Sequence, residues 1–162
     1  MNEPDTAWMY LWSEEMFLVV PEDHPLAQKS RVNLREVEDE PFVALKPEYT
    51  LRQQVNHFLD LAESHPQIVF EGDEVHTLVS FVAAHLGVSI LPHVPGTEHL
   101  GVVFVPISFP LCKRAVGIAW NTIRPLSPAA MTFQQFTIHH FVQDGEVPMN
   151  QPAKNPSSKQ HS

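Results

Sequence analysis

The sequence predicts an α/β fold centred on a compact parallel β-α-β-α-β unit, and three observations predict it. Short apolar runs at Phe42–Leu45, Gln67–Phe70 and Val88–Pro92 have the length and composition of strands. Two segments with apolar residues at helical spacing alternate with them. All five elements fit within about fifty residues, as two right-handed crossovers in one parallel sheet require.

Taken in order, residues 1–15 are polar with scattered aromatics, Trp8, Tyr10 and Trp12, and show no clear period. Met16-Phe17-Leu18-Val19-Val20-Pro21 is an apolar run stopped by proline and reads as a buried strand. Glu22 to Glu40 is a polar connector holding the turn-like Asp23-His24-Pro25. After the strand Phe42–Leu45, Thr50 with Gln53 three residues on forms a capping-box signature. It opens a helix carrying Leu51, Val55, Phe58, Leu59 and Ala62 on one stripe. Beyond the strand Gln67–Phe70, Asp73 is the expected cap of a second helix, with Val75, Leu78, Val79, Val82, Ala83 and Leu86 at helical spacing. Gly87 is its expected left-handed stop. A strand order of 2-1-3 leaves Gln67–Phe70 at an edge, beside the helix Leu51–Glu63. Val102–Pro106 and Arg114–Trp120 read as two more strands. Ser127 as cap and Pro128 at the first helical position start a helix that runs to about Gln143. Asp144–Ser162 has three prolines and no aromatic residue, and is expected to be a disordered tail.

The bulk numbers exclude some functions. The 162 residues suffice for one domain or two small lobes with a real core. Ten Lys and Arg against nineteen Asp and Glu give a net charge of -9, which argues against a phosphate-tracking surface. Cys112 is the one cysteine, so no intrachain disulfide forms, which fits a reducing cytoplasm. No apolar stretch approaches the ~20 residues of a membrane helix, and Met1–Pro4 does not open a signal peptide.

In an open parallel sheet, ligands bind outside the carboxyl ends of the strands, where helix N-termini also point. Three loops are expected there: Lys46–Thr50, Glu71–Thr77 and Pro92–Thr97. The two helix starts would aim N–H groups and positive dipole ends into that space, which favours a small anion. Lys46 is the candidate counter-charge and Tyr49, Thr50 and Thr77 are candidate hydroxyl donors; Asp73 and His93 complete the effector-binding set. A plainer account makes Thr50 and Asp73 helix caps and Lys46 a solvated lysine.

Catalytic alternatives have little support. G-x-S-x-G, Walker, G-x-G-x-x-G and H-E-x-x-H patterns are missing from the sequence. His24, His57, His65 and His85 are scattered, and the adjacent His139 and His140 point to different faces of a helix, so no metal set is expected. Glu71, Asp73 and Glu74 could form an acid-base group, but acidic residues are favoured at helix starts anyway. Lys113 and Arg114 could lower the pKa of Cys112, against the simpler reading of an incidental thiol. No cofactor is expected.

These residues together resemble a known family. Leu18-Val19-Val20-Pro21, His24-Pro25-Leu26-Ala27, Leu34 and Asp39-Glu40-Pro41-Phe42-Val43 resemble the middle of LysR-type effector domains. The resemblance continues through Leu51-Arg52, Ile68-Val69-Phe70-Glu71 and Leu78 to Pro92. It closes with Gly117-Ile118-Ala119-Trp120 and Leu126-Ser127-Pro128-Ala129-Ala130, covering about residues 11–143 in order. It implies a periplasmic-binding-protein-like two-lobed α/β domain, one lobe complete and one partial, that senses a small metabolite in bacterial transcription regulation. Residues 42–101 would be the second lobe, and 1–41 with 102–143 a partial first lobe. Family members begin with a helix-turn-helix and half of the first lobe, so the sequence resembles a truncated member. DNA contact would come only through that missing domain, and self-association is implied as in the family. The rival readings are a solute-binding lobe of a transport system, which shares the fold, and a small α/β enzyme.

Overall fold

The computed structural model describes residues 5–143; the expected tail Asp144–Ser162 lies outside them. Contacts divide the described residues into two compact units, Glu14–Arg114 and a second made from residues 5–13 and 115–143.

In the first unit a sheet gathers the second half of β1 (Thr6–Pro21) with β2 (Val32–Asn33), β5 (Ser89–Pro92) and β6 (Val102–Phe109), while β7 (Lys113–Asn121) and the first half of β1 fall largely in the second unit. Its order is β2-β6-β1-β5, with β7 also on β1. β1 runs antiparallel to β5 and β6, pairing Leu18 with Ile90 and with Val105. β3 (Phe42–Leu45) and β4 (Ile68–Gly72) form a parallel pair. A parallel bridge between Phe42 and Val88 connects β3 to the start of β5, closed by Val43 N to Val88 O and Val88 N to Pro41 O, both 2.8 Å. The expected order 2-1-3 is thus present, with β4 at the edge.

Alternation along the strands sorts the core onto two faces. Leu18, Val20, Phe42, Ala44 and Ile90 pack with Val55, Phe58 and Leu59 of α1 (Thr50–Leu61). Val19, Val43, Leu45 and Leu91 pack with Leu78, Val79 and Val82 of α2 (Val75–Ala83). Strands sandwiched by helices read as continuous apolar runs, which is why β3 and β5 were visible in the sequence.

Several local expectations need correction. The strand expected at Met16–Pro21 begins at Thr6; its first half is exposed or half-buried apart from Leu11, so no apolar run marks it. The connector Glu22–Glu40 is ordered rather than merely polar. It holds one-turn helices at Pro25–Gln28 and Leu34–Val37, and buries Leu26, Val32, Leu34 and Val37. The capping box sits here, with Asn33 and Glu36 closing each other's backbone N–H groups. Thr50 does not form one: Tyr49 is the N-cap of α1, and no side chain closes that turn. Nor does Asp73 cap α2, whose N-cap is Glu74. Gly87 is not the left-handed stop either. His85, at φ 61°, takes that position, with His85 N bonding Val82 O and Leu86 N bonding Phe81 O. Gly87 is needed for closeness: a Cβ there would lie 2.5 Å from Pro41 O.

In the second unit Gly117 of β7 lies against Trp8 and the Met9 carbonyl with no room for a side chain. Thr122 N donates to Asp5 O at 2.8 Å. α3 spans Pro128–Gln143, and Ser127 caps it as expected, its Oγ accepting from Ala130 N. Phe141 of α3 stacks on Trp12 at 4.8 Å between ring centroids.

Candidate functional site

The parallel register of β3 and β4 ends with Leu45 opposite Gly72, so the next residues of both strands emerge side by side. Lys46 N donates to Gly72 O at 3.1 Å, fixing where the two loops start. Lys46 Nζ then lies 2.8 Å from Asp73 Oδ1 and 2.9 Å from Oδ2. Tyr49 OH donates to Asp73 Oδ1 at 3.3 Å. Hydrogen bonding and charge from Asp73 hold the Lys46 ammonium above its usual pKa, and the same contact holds the Asp73 carboxyl below its own. Partial desolvation and then the neighbouring carboxylate push the Tyr49 phenol up. Both helices start beside this cluster without a side-chain cap, so their first N–H groups present the positive dipole end to the same opening.

The structure therefore brings together Lys46, Tyr49 and Asp73 of the expected set. Thr50 is exposed at the first turn of α1 and Thr77 is half-buried on α2. His93 is exposed, with its ring 5.2 Å from that of Phe104.

Sequence reasoning missed Arg52. It is 8% exposed and sits on the apolar stripe of α1. Its Nη1 reaches Leu45 O at 2.5 Å and Glu71 Oε1 at 2.8 Å, while Nε reaches Asn56 Oδ1 at 2.9 Å. One buried guanidinium thus ties α1 to the ends of both strands, next to Lys46 and two residues before Asp73. An arginine at helical spacing with Val55 and Leu59 was the available signal.

Other candidates fall away. Cys112 is buried, and desolvation pushes its thiol up to about 12. The neighbouring cations do not lower it: Lys113 pairs with Glu15 and Arg114 with Glu14. Among the described residues no group of three His, Cys, Asp or Glu is placed to hold a metal, and no helix is long and apolar enough to cross a membrane. A hollow of about 300 Å³, lined by Arg52, Asn56, Ser64 and Ile68 among others, lies between α1 and the edge strand, and neither Lys46 nor Asp73 lines it.

A sheet covered on both faces by its crossover helices, with a charged rim at the parallel strand ends, defines a periplasmic-binding-protein-like effector-binding domain. The family model for the LysR substrate binding domain matches residues 2–142, and the chain belongs to that family. It is 46% identical over 134 residues to the HTH-type transcriptional regulator YybE of Bacillus subtilis (strain 168), covering 83% of this chain and 46% of that protein. It is 32% identical over 142 residues to the transcriptional dual regulator GltC of the same organism, covering 86% and 47%. The chain thus spans about half the length of the curated relatives it matches. The effector-binding domain of QuiR in complex with shikimate is 26% identical, with a TM-score of 0.83 over 88% of this chain and 68% of that one. The relatives are transcription regulators, so the rival reading as a transport lobe is not favoured.

Proposed function

We propose that this chain is the effector-sensing part of a LysR-type transcription regulator, that it binds a small anionic metabolite at the β3 and β4 strand ends, and that it carries no chemistry of its own. The observation that carries the reading is the Lys46–Asp73–Tyr49 cluster beside two uncapped helix starts. Thr50, Thr77 and His93 extend the contact set to the neighbouring loops. A related domain that holds shikimate supports a ligand of this size class.

In this reading residues 42–101 form the second lobe, and 1–41 with 102–143 belong to the first. The protein works in the cytoplasm. DNA contact belongs to a helix-turn-helix outside the described residues, because an acidic chain with net charge -9 offers no phosphate-tracking face. The edge strand β4, with Ile68, Val69 and Phe70 more than a third exposed, together with α1, is the self-association surface.

The test is a thermal-melt screen of the whole chain against small anionic metabolites. A stabilising ligand is expected, and the shift should vanish in Lys46→Met. A ligand whose effect survives that substitution would move the site elsewhere, and a screen without any stabilising anion would remove the reading.

A further inference from the structure

We infer that the strand-end cluster selects effectors in which an anionic group stands next to a hydrogen-bond donor, a hydroxyl or an ammonium, and that Asp73 imposes the choice. The inference rests on the strand ends being the effector site.

Donor and acceptor capacity decides what the pair can still bind. An ammonium has three N–H donors, and a carboxylate has about four acceptor positions. Lys46 faces both oxygens of Asp73, at 2.8 and 2.9 Å, and Tyr49 OH takes a further acceptor position at 3.3 Å. At least one donor on Lys46 and one acceptor on Asp73 remain, side by side on groups already in contact. Glu48 and Asp73 are the acidic groups whose charge acts on Lys46, so Lys46 is not a free cation waiting for an anion.

A plain carboxylate meets this pair badly. It can displace Asp73 from Lys46, which trades one ion pair for another and strands the Asp73 charge beside a second negative group. Or it can lie on a neutral pair, where the attraction to Lys46 is offset by repulsion from Asp73. An α-hydroxy acid or an α-amino acid has the complementary pattern. Its carboxylate takes the remaining Lys46 donor while its hydroxyl or ammonium gives to Asp73, and the Lys46–Asp73 contact stays intact. A site built to accept a donor discriminates strongly against the analogue that lacks it, because the polar group is then left unpaired.

The test is an amide-resolved NMR titration of the whole chain with propionate, L-lactate and L-alanine, three probes of nearly equal size. Lactate, alanine or both should shift the amides of residues 46–50 and 72–74, with affinity at least about fivefold above that of propionate. Which of the two does so separates hydroxyl from ammonium recognition. Asp73→Asn should abolish the preference and raise propionate affinity, since Lys46 is then released from its partner. Equal affinity of propionate and lactate at these same amides would overturn the inference while leaving the anion site standing. So would a preference that survives Asp73→Asn. Failure of all three probes to move these amides would remove the strand-end site itself, and the inference with it.

Discussion

Replacing Arg52 by alanine should be among the most damaging single changes in the Glu14–Arg114 unit. Three losses add. The Leu45 carbonyl, on a residue 7% exposed, loses its Arg52 donor, at a cost of about 1–2 kcal/mol. The Glu71 ion pair is broken, but its carboxylate is 40% exposed on that side chain and recovers water, so about 1 kcal/mol is the fair figure. The buried aliphatic stem of the arginine contributes about 2 kcal/mol at roughly 0.8 per methylene, less what the relaxed site regains. The total is about 4 kcal/mol, which at an m-value of about 2 kcal/mol/M lowers the urea midpoint by about 2 M. Arg52→Met keeps most of the stem and should cost about half as much. Urea denaturation followed by circular dichroism reads both. A loss under about 1 kcal/mol for Arg52→Ala would show that the guanidinium does not hold the strand ends, and that the bonds to Leu45 and Glu71 are replaceable by water.

Gly87→Ala should cost about 2–3 kcal/mol in the same assay, because its Cβ would meet Pro41 O at 2.5 Å and force β3 from β5; an unchanged midpoint would mean the bridge at Phe42 and Val88 has slack. Cys112, with its thiol pushed by burial from its ordinary value of 9.0 up to about 12, should resist alkylation at pH 8, where its thiolate fraction falls about a thousandfold below that of a free thiol; labelling at the free-thiol rate would contradict the burial. Because that pKa is raised in the folded chain, the protonated thiol's contribution to stability is fully present below about 9 and is lost as pH rises toward 12, so thermal melts should drop over that window and less so in Cys112→Ala. Phe70→Lys, on the exposed edge strand, should reduce self-association in sedimentation or light scattering while shifting the melting temperature by only a degree or two; undiminished association would place the contact elsewhere.

Much of the fold was legible because β3, β5 and the helix stripes obey local rules. Phe42–Leu45 is buried on both faces, so it reads as an unbroken apolar run, and Ser127 with Pro128 starts α3 by a signal contained in two residues. The missed features depend on distant partners. Thr6–Ser13 becomes strand only where β7 supplies a neighbour about a hundred residues later, and its half-exposed pattern gives no hint of that. Gly87 is dictated by Pro41, which the sequence does not place beside it. The candidate site was half legible: loops at strand ends and helix starts pointed to Lys46, Tyr49 and Asp73. Their contact required the register Leu45 opposite Gly72, and register is a property of the pairing rather than of either strand alone. Asp73 had a ready local role as a cap, and the nearby cation outcompeted it.

β1 has a consequence for how the chain is made. Its segment Met16–Val20 is almost wholly apolar, and its partners in the sheet lie about seventy residues downstream in β5 and further on in β6. During synthesis from the N-terminus, β3, α1, β4 and α2 emerge and can satisfy one another before the β5 and β6 partners of β1 have been made. For several seconds at ordinary elongation rates the nascent chain carries this apolar segment without its β5 and β6 partners. Holding factors at the ribosome, and the speed of translation between residues 21 and 106, are therefore expected to affect the yield of folded protein.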